Sequence, residues 1–150
     1  IAQEIILIET EIAKRIELDE DKKKLRKQLM TFKGIGKTCA DALICNLQEL
    51  GQLNRAEIAC LLGVAPKNKD SGTKRGRRMV CGGRFHVRRL IYMAALVSIR
   101  HNKTINAFYE RLKAAGKKSK VALTAVMRKI IITLNAMVKN GTDWNECYIA

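Results

Sequence analysis

The sequence predicts an all-α protein in which a long N-terminal coiled-coil helix precedes a compact helical domain. Three observations indicate this fold class. Apolar residues recur at helical spacing along most of the 150 residues, aromatic residues make up only 5% of them, and there is a single proline. A hydrophobic content of 47% is too high for a disordered chain, and no segment has the alternating pattern of a convincing strand.

Residues 1–30 predict one uninterrupted helix. No glycine or proline occurs in this segment, and isoleucines follow one another at every third or fourth position (Ile1, Ile5, Ile8, Ile12 and Ile16). Thirty helical residues would span about 45 Å, which is too long for a helix that packs only on a small domain. The stripe therefore predicts a coiled coil with a second copy of the chain or with further chain.

Residues 31–150 predict one compact domain. Gly34-Ile35-Gly36 interrupts the helical pattern, so segment 31–46 has the form of a helix-hairpin-helix. The caps and breaks predict helices from about Lys37 to Asn46, from an Asn54 capping box to Leu62, from Arg84 to about Arg100, from a Thr104 cap to Ala115, and from a Ser119 cap to about Lys139. Residues 67–83, which are rich in glycine, predict a loop.

The charge balance predicts a polyanionic partner. The chain has 29 Lys and Arg residues against 14 Asp and Glu residues, a net charge of +15. No unbroken apolar run has the length of about 18 residues that a membrane span needs, and no signal peptide is evident. Because the chain begins with Ile1 rather than Met, we expect it to be processed, trimmed or cut from a longer protein.

The five cysteines predict neither a disulfide framework nor a metal site. Their number is odd, they form no C-x-x-C pair, and neither histidine lies at zinc-ligand spacing from them. We therefore expect reduced, mostly buried thiols in a cytosolic protein, and no bound metal.

Two segments have the composition of a nucleic-acid interface. In a helix-hairpin-helix, Gly34 and Gly36 would turn backbone N–H groups towards a phosphate, with Lys37 beside it; a plain tight turn is the alternative. In residues 67–89, nine basic residues accompany one acid, which favours a bound polyanion over a solvated loop. The predicted phosphate contacts in this basic segment are Lys69, Lys74, Arg75, Arg77, Arg78, Arg84, Arg88 and Arg89.

Ser71 is the candidate nucleophile of the basic segment. It precedes a glycine, so a sharp turn would leave its hydroxyl open, and arginines around a phosphodiester would stabilise the charge that develops during attack. Turn serines are far more often structural than catalytic. Asp70 could orient the serine or simply cap a turn, and His86, the only nearby candidate base, is more often a packing residue.

A series of short segments follows in order between residue 30 and residue 144: Gly34-Ile-Gly36, Glu49-Leu-Gly51, Leu62-Gly-Val-Ala-Pro66, Asp70-Ser-Gly72, Arg75-Gly-Arg77, Gly82-Gly-Arg84, Tyr92-Met-Ala-Ala95, Arg100-His-Asn102, Phe108-Tyr109, Arg111-Leu112, Gly116-Lys117, Met127-Arg-Lys129 and Leu134-Asn-Ala136. In these segments the chain resembles the C-terminal domain of the IS-one-ten family, the DEDD insertion-sequence transposases that act as RNA-guided DNA recombinases. One departure is Lys33, where the family usually has proline.

The resemblance implies a DNA transposase in which Ser71 is the catalytic serine and forms a covalent link to DNA. It also implies an upstream RuvC-like domain whose four acids bind Mg²⁺, a guide RNA, and dimers or tetramers assembled through the coiled coil. That upstream domain is not in this sequence, so we expect a fragment that binds no cofactor and is inactive alone. The implied location is the prokaryotic cytoplasm, at the nucleoid.

The residues alone leave other functions open. The main alternative is a non-catalytic helix-hairpin-helix module that binds nucleic acid. A helix-hairpin-helix DNA glycosylase is disfavoured, because Thr38 stands where its catalytic lysine would be. A purely structural oligomer would explain the isoleucine stripe but not the basic segment.

Overall fold

The structure is a computed structural model that describes residues 2–68, 71–73, 76 and 78–145. It confirms the predicted all-α fold. The described part of the chain contains seven helices and two short strands: α1 (Ala2–Leu18), α2 (Glu20–Met30), α3 (Lys37–Asn46), α4 (Arg55–Leu62), β1 (Pro66–Lys67), β2 (Met79–Val80), α5 (Phe85–His101), α6 (Lys103–Ala114) and α7 (Ser119–Asn140).

The N-terminal segment is two helices, so the prediction of one uninterrupted helix is wrong. Asp19 has extended backbone angles (φ −106°, ψ 106°), and its carboxylate accepts the N–H of Lys22 at 3.2 Å, which caps α2. The hydrogen bond from the Lys22 side chain lowers the pKa of Asp19. Arg26 of α2 donates to the carbonyl oxygen of Ala13 at 3.3 Å, whereas a straight helix would separate these residues by about 20 Å. The chain therefore folds back at Asp19.

A buried ion pair joins the first three helices. Arg26 is only 4% exposed, and its Nε and Nη2 atoms donate to the two carboxylate oxygens of Asp41 on α3, at 2.5 Å and 3.1 Å. The same guanidinium donates to Glu17 on α1. One arginine thus holds α1, α2 and α3 together, and the sequence pattern gave no indication of this contact.

Helix α7 is the centre of the core, as its apolar composition predicts. It packs against α2, α4, α5 and α6, and its Ile130, Ile131, Leu134 and Met137 are fully buried. This helix also has the length and mean hydropathy (1.6) of a membrane span, which the search for unbroken apolar runs missed. Its burial among the other helices accounts for that hydropathy without a membrane.

The helix caps agree with the sequence at α4 and differ at α6 and α7. The Asn54 side chain accepts the N–H groups of Ala56 and Glu57, both at 2.9 Å, and the Glu57 carboxylate accepts the Asn54 N–H, which confirms the capping box. At α6 the cap is Asn102, which accepts the N–H of Thr104 at 3.2 Å, so Thr104 is not the cap.

Ser119 also differs from its predicted role, because it is the first residue of α7 and not its cap. The N-cap is Lys118, and no side chain caps this end. The Ser119 hydroxyl instead accepts a hydrogen bond from the Lys113 ammonium at 2.8 Å, which ties the end of α6 to the start of α7.

The prediction of mostly buried cysteines is wrong for the described residues. Cys39 is half-buried, and Cys45, Cys60 and Cys81 are exposed. Cys147 lies outside the described residues.

Candidate nucleic-acid interface

Two short antiparallel strands form a stem for the basic loop. Pro66 of β1 lies opposite Val80 of β2, and Lys67 lies opposite Met79. The sequence predicts no strand here, because a two-residue strand is too short to show an alternating pattern and proline is rare in strands. Residues 68–78 connect the two strands and include Ser71.

Ser71 lies on the surface of the protein. The residue is exposed, and Gly72 has a φ of +56°, in the left-handed region that favours glycine. A Cβ atom at position 72 would have no described atom within 4 Å apart from its chain neighbours. The exposure that nucleophilic attack requires is therefore present, whereas the catalytic role itself stays a prediction.

The other residues of the loop are described only in part. Arg78, Gly72 and Thr73 are exposed. Five residues with predicted roles lie outside the described part: Lys69, Asp70, Lys74, Arg75 and Arg77.

The base of the stem is fixed by a close contact between two backbone turns. Gly63 ends α4 with a φ of +73°, and a Cβ there would lie 2.0 Å from the carbonyl oxygen of Gly82. Likewise, a Cβ at Gly83 would lie 2.3 Å from the Gly63 nitrogen. The Arg84 N–H donates to the Leu61 carbonyl oxygen at 2.9 Å. Only glycine permits this approach, which attaches the second strand of the stem to the end of α4.

The Arg84 side chain has partners within the protein. Its Nη1 donates to Glu49 Oε2 at 2.8 Å and to the Asn46 carbonyl oxygen at 2.7 Å, and its Nη2 donates to Glu49 Oε1 at 2.5 Å. These side-chain hydrogen bonds lower the pKa of Glu49 and raise the pKa of Arg84. Both terminal nitrogens are used, so Arg84 is better assigned to positioning the stem than to the phosphate contact predicted for it.

Arg88 and Arg89 flank the same end of α5 but differ in their contacts. Arg88 Nη1 donates to the Gly82 carbonyl oxygen at 2.7 Å, which fixes the turn that precedes the helix. Arg89 is exposed, and its guanidinium lies 5.7 Å from the centre of the Phe85 ring. Of the predicted phosphate contacts that are described in the basic segment, Arg78 and Arg89 are therefore the exposed ones.

The Gly-x-Gly turn uses its two glycines differently. Gly34 has a φ of +123°, and a Cβ there would lie 2.0 Å from Ser98 Oγ on α5. Ser98 Oγ also donates to the Lys33 carbonyl oxygen at 3.1 Å, so Gly34 serves the packing of the turn against α5. Gly36 is exposed, and a Cβ there would have no other atom within 4 Å; it precedes α3 without a side-chain cap. Lys37 is exposed in the first turn of α3.

The Gly34-Ile35-Gly36 turn and the basic loop lie at opposite ends of α5. The turn packs on Ser98, and the stem joins α5 at Arg84. These positions are 14 residues apart, which is about 21 Å along a helix. A single phosphate cannot contact both segments, whereas a duplex several base pairs long could.

The structure also reveals basic residues that the sequence reasoning missed. Lys117, Lys120 and Arg128, at the start and along the outer side of α7, line a groove beside the stem together with Arg78. Lys117 and Lys120 form a short basic run with Lys118, and Arg128 precedes Lys129, but the sequence reasoning treated α7 only as an apolar core helix. Across the ranges 2–68 and 78–145, no three His, Cys, Asp or Glu side chains cluster as metal ligands.

An all-α domain that carries a basic loop on a short two-stranded stem presents a surface suited to polyanions. Comparison with known proteins identifies its family. Residues 26–110 match the transposase family described as IS116/IS110/IS902. The chain belongs to this family, which confirms the resemblance at the family level.

Three curated relatives are similar over most of this chain. The IS110 43.6 kDa protein of Streptomyces coelicolor is 28% identical over 79% of this chain and 30% of its own length. The pilin gene-inverting protein of Moraxella bovis is 25% identical over 79% of this chain and 38% of its own length. The IS900 42 kDa protein of Mycobacterium paratuberculosis is 27% identical over 93% of this chain and 37% of its own length. The chain therefore spans about a third of the length of these relatives.

Proposed function

We propose that this chain is the part of a DNA transposase or recombinase that supplies a serine nucleophile, Ser71. Membership of a transposase family supports the general activity, and the name of the pilin gene-inverting protein indicates a relative that rearranges DNA. The observation that carries the assignment to Ser71 is its exposure beside an open glycine turn, on a loop whose stem is anchored to the domain.

The proposed reaction exchanges one phosphoester bond for another. Ser71 Oγ attacks the phosphorus of a DNA phosphodiester and loses its proton to a base. The bond from phosphorus to one deoxyribose oxygen breaks, and that oxygen takes up a proton and leaves as a hydroxyl group. The DNA strand is then esterified to Ser71, and a second strand reverses the steps.

The basic residues of the loop would stabilise the additional negative charge of the transition state. Lys69, Lys74, Arg75 and Arg77 are proposed for this role on the sequence alone, and the exposed Arg78 and Arg89 extend the same surface. Because guanidinium groups contact two phosphate oxygens at once, arginines also fix the orientation of the phosphodiester.

The anchored stem would limit the positions that the serine can take. The Gly63–Gly83 contact, the Arg84–Glu49 pair and the Arg88–Gly82 hydrogen bond all act at the same end of the stem. Because the stem is fixed where it joins the domain, less entropy is lost when the serine nucleophile meets its phosphate.

The remaining activities would belong to the full-length protein. We propose that an upstream DEDD domain binds Mg²⁺, that a guide RNA selects the DNA, and that the protein acts in the prokaryotic cytoplasm at the nucleoid. Dimers or tetramers would form through α1, whose Ile5 and Ile8 are 53% and 60% exposed. Replacing both with glutamate should then lower the mass measured by sedimentation equilibrium.

A non-catalytic nucleic-acid module is the second candidate. It is favoured by the first turn of α3, where Gly36 leaves the helix end open and no side chain caps it. In this function Ser71 would be only a turn residue, and its replacement would change nothing.

The experiment compares Ser71→Ala with Thr73→Ala in the full-length protein. Both residues are exposed hydroxyl-bearing positions in the same loop. With DNA and guide RNA present, covalent protein–DNA adducts are measured on a denaturing gel. We expect Thr73→Ala to form adducts and Ser71→Ala to form none. Adducts at the wild-type level in Ser71→Ala would refute the assignment and leave the binding module.

A further inference from the structure

A cationic groove lies between the stem and α7. It has a volume of about 640 Å³ and combines four basic residues with apolar side chains (Arg78, Lys117, Lys120 and Arg128 with Met79, Val80 and Val121). Met79 and Val121 are 59% and 55% exposed. The groove begins at the strand that leads out of the basic loop, so a ligand leaving the loop can enter it directly.

A second cationic groove continues along α7 towards the C-terminal end of this helix, away from the stem. Its volume is about 620 Å³, and its basic residues are Arg55, Arg128 and Lys129. Phe108 lies in this groove, with Lys129 Nζ at 4.6 Å and Arg111 Cζ at 5.3 Å from its ring centre. Arg128 and Ala125 line both grooves, so the two form one continuous surface.

Like charges are concentrated around the second groove. No Asp or Glu is among the described residues that line either groove. The pKa of Lys129 is lowered, first by burial and then by the charges of Arg111 and Arg55. The Phe108 ring accounts for the placement of Lys129 and Arg111, but it does not account for Arg55 and Arg128. The described lining of the grooves offers these two arginines no carboxylate, and a bound anion would offset their charge.

We propose that this surface, the α7 track, binds the phosphate backbone of the DNA that leads away from Ser71. The α7 track consists of Arg55, Arg78, Lys117, Lys120, Arg128 and Lys129. Along α7 it runs from Lys120 to Lys129, nine residues or about 14 Å, which corresponds to about four base pairs of duplex DNA. The proposal rests on the proposed function, because it is the continuity with the Ser71 loop that favours DNA as the occupant.

The first experiment measures the salt dependence of DNA binding by the 150-residue chain. The track variant is Arg55→Gln/Lys120→Gln/Arg128→Gln, and the control, Lys14→Gln/Lys27→Gln/Lys103→Gln, removes the same charge from exposed positions elsewhere. Binding of a 20-base-pair duplex is followed by fluorescence anisotropy between 50 and 200 mM salt. Each lost phosphate contact should reduce the slope of log K against log salt by about 0.9, so the track variant should lose up to about 2.7.

The two variants give opposite expectations for affinity. At 100 mM salt we expect at least a tenfold weaker affinity for the track variant and less than a threefold change for the control. Equal losses in both variants would show a diffuse charge effect and overturn the proposal, as would an unchanged slope in the track variant. Circular dichroism of both variants checks that the fold is kept.

The second experiment needs no variant and therefore does not depend on folding of a mutant. Wild-type chain is acetylated with and without duplex, and modification is read by mass spectrometry at the exposed lysines (track, Lys117 and Lys120; control, Lys14 and Lys103). We expect the duplex to protect the track lysines at least threefold more than the control lysines, and equal protection would overturn the proposal. Tighter binding of an RNA of the same length, with protection of the same lysines, would overturn the assignment to DNA.

The experiments can refute the DNA-binding role of the α7 track and the nucleophile role of Ser71 independently of each other. Ser71→Ala should keep the wild-type salt slope and lose only the covalent adduct. The track variant should lose binding whether or not Ser71 is the nucleophile.

Discussion

Removing the Asp41 carboxylate should destabilise the protein strongly, because it takes away the buried one of the two carboxylates that pair with the Arg26 guanidinium. Asp41→Asn is the smallest change that does this, since it keeps the shape of the side chain. The two side chains are 5% and 9% exposed, so water cannot replace the lost oxygen. The amide also places N–H groups against the N–H groups of the guanidinium.

The expected magnitude follows from the two hydrogen bonds that Asp41 accepts, at 2.5 Å and 3.1 Å. Hydrogen bonds to charged groups contribute about 1.5–3 kcal/mol each, and breaking one side of a buried pair costs about 3–5 kcal/mol. The second range applies here, because Asp41 is one side of a buried pair. For a domain of this size, each kcal/mol shifts the midpoint by about 2–4 °C, so the thermal midpoint should fall by roughly 10 °C.

Urea unfolding followed by circular dichroism measures this change, and two further variants test the reasoning. Glu17 also contacts Arg26, but its side chain is 50% exposed, so Glu17→Gln should cost less than about 1 kcal/mol. Replacing both buried partners, as Arg26→Met/Asp41→Leu, should restore stability to within about 1 kcal/mol of the wild type or above it. A cost for Glu17→Gln as large as that for Asp41→Asn would refute the reasoning, because burial would then not decide the magnitude.

Three further predictions concern the turn, a thiol and the stem. Gly34→Ala should lower the thermal midpoint of unfolding, because Gly34 has a φ of +123° and its Cβ would lie 2.0 Å from the Ser98 side chain. Gly36→Ala is the control and should leave the midpoint unchanged, because a Cβ at position 36 has open space around it. Burial raises the pKa of Cys39 to about 11, so at pH 8 it should react with a thiol reagent about a hundredfold more slowly than the exposed thiols. The hydrogen bonds from Arg84 lower the pKa of Glu49, so its contribution to stability is complete above its ordinary pKa of 4.5 and is lost as the pH falls through the lowered value. Acid titrations of the wild type and Glu49→Gln should therefore converge at low pH; parallel curves would contradict this.

Most helices could be predicted because their signals are local. The Asn54 capping box and the left-handed Gly63 that ends α4 depend on residues within one helical turn. The break at Asp19 also had a local signal, an N-cap aspartate followed by two acids, but it was hidden by the isoleucine stripe and by the absence of glycine and proline. The stripe itself is divided: Ile16 is buried in the domain, whereas Ile5 and Ile8 are exposed.

The contacts that shape the candidate interface could not be predicted, because they join residues that are distant in sequence. Arg84 meets Glu49 across 35 positions, and Gly34 meets Ser98 across 64. No periodicity or composition carries that information. The same limit explains the α7 track, since Arg55 and Lys129 come together only after α4 packs against α7.

The sequence analysis treated all basic residues of segment 67–89 alike, and the structure divides the arginines that it describes there into two kinds. Arg84 and Arg88 are engaged by Glu49 and by the Gly82 carbonyl oxygen, so they hold the stem in place. Arg78 and Arg89 are exposed and remain suited to a ligand. A carboxylate or carbonyl partner offsets the self-repulsion that so many basic residues create, and these partners lie at the base of the stem. Counting basic residues therefore overstates the number available for phosphate, and the salt slope should report the smaller, exposed set.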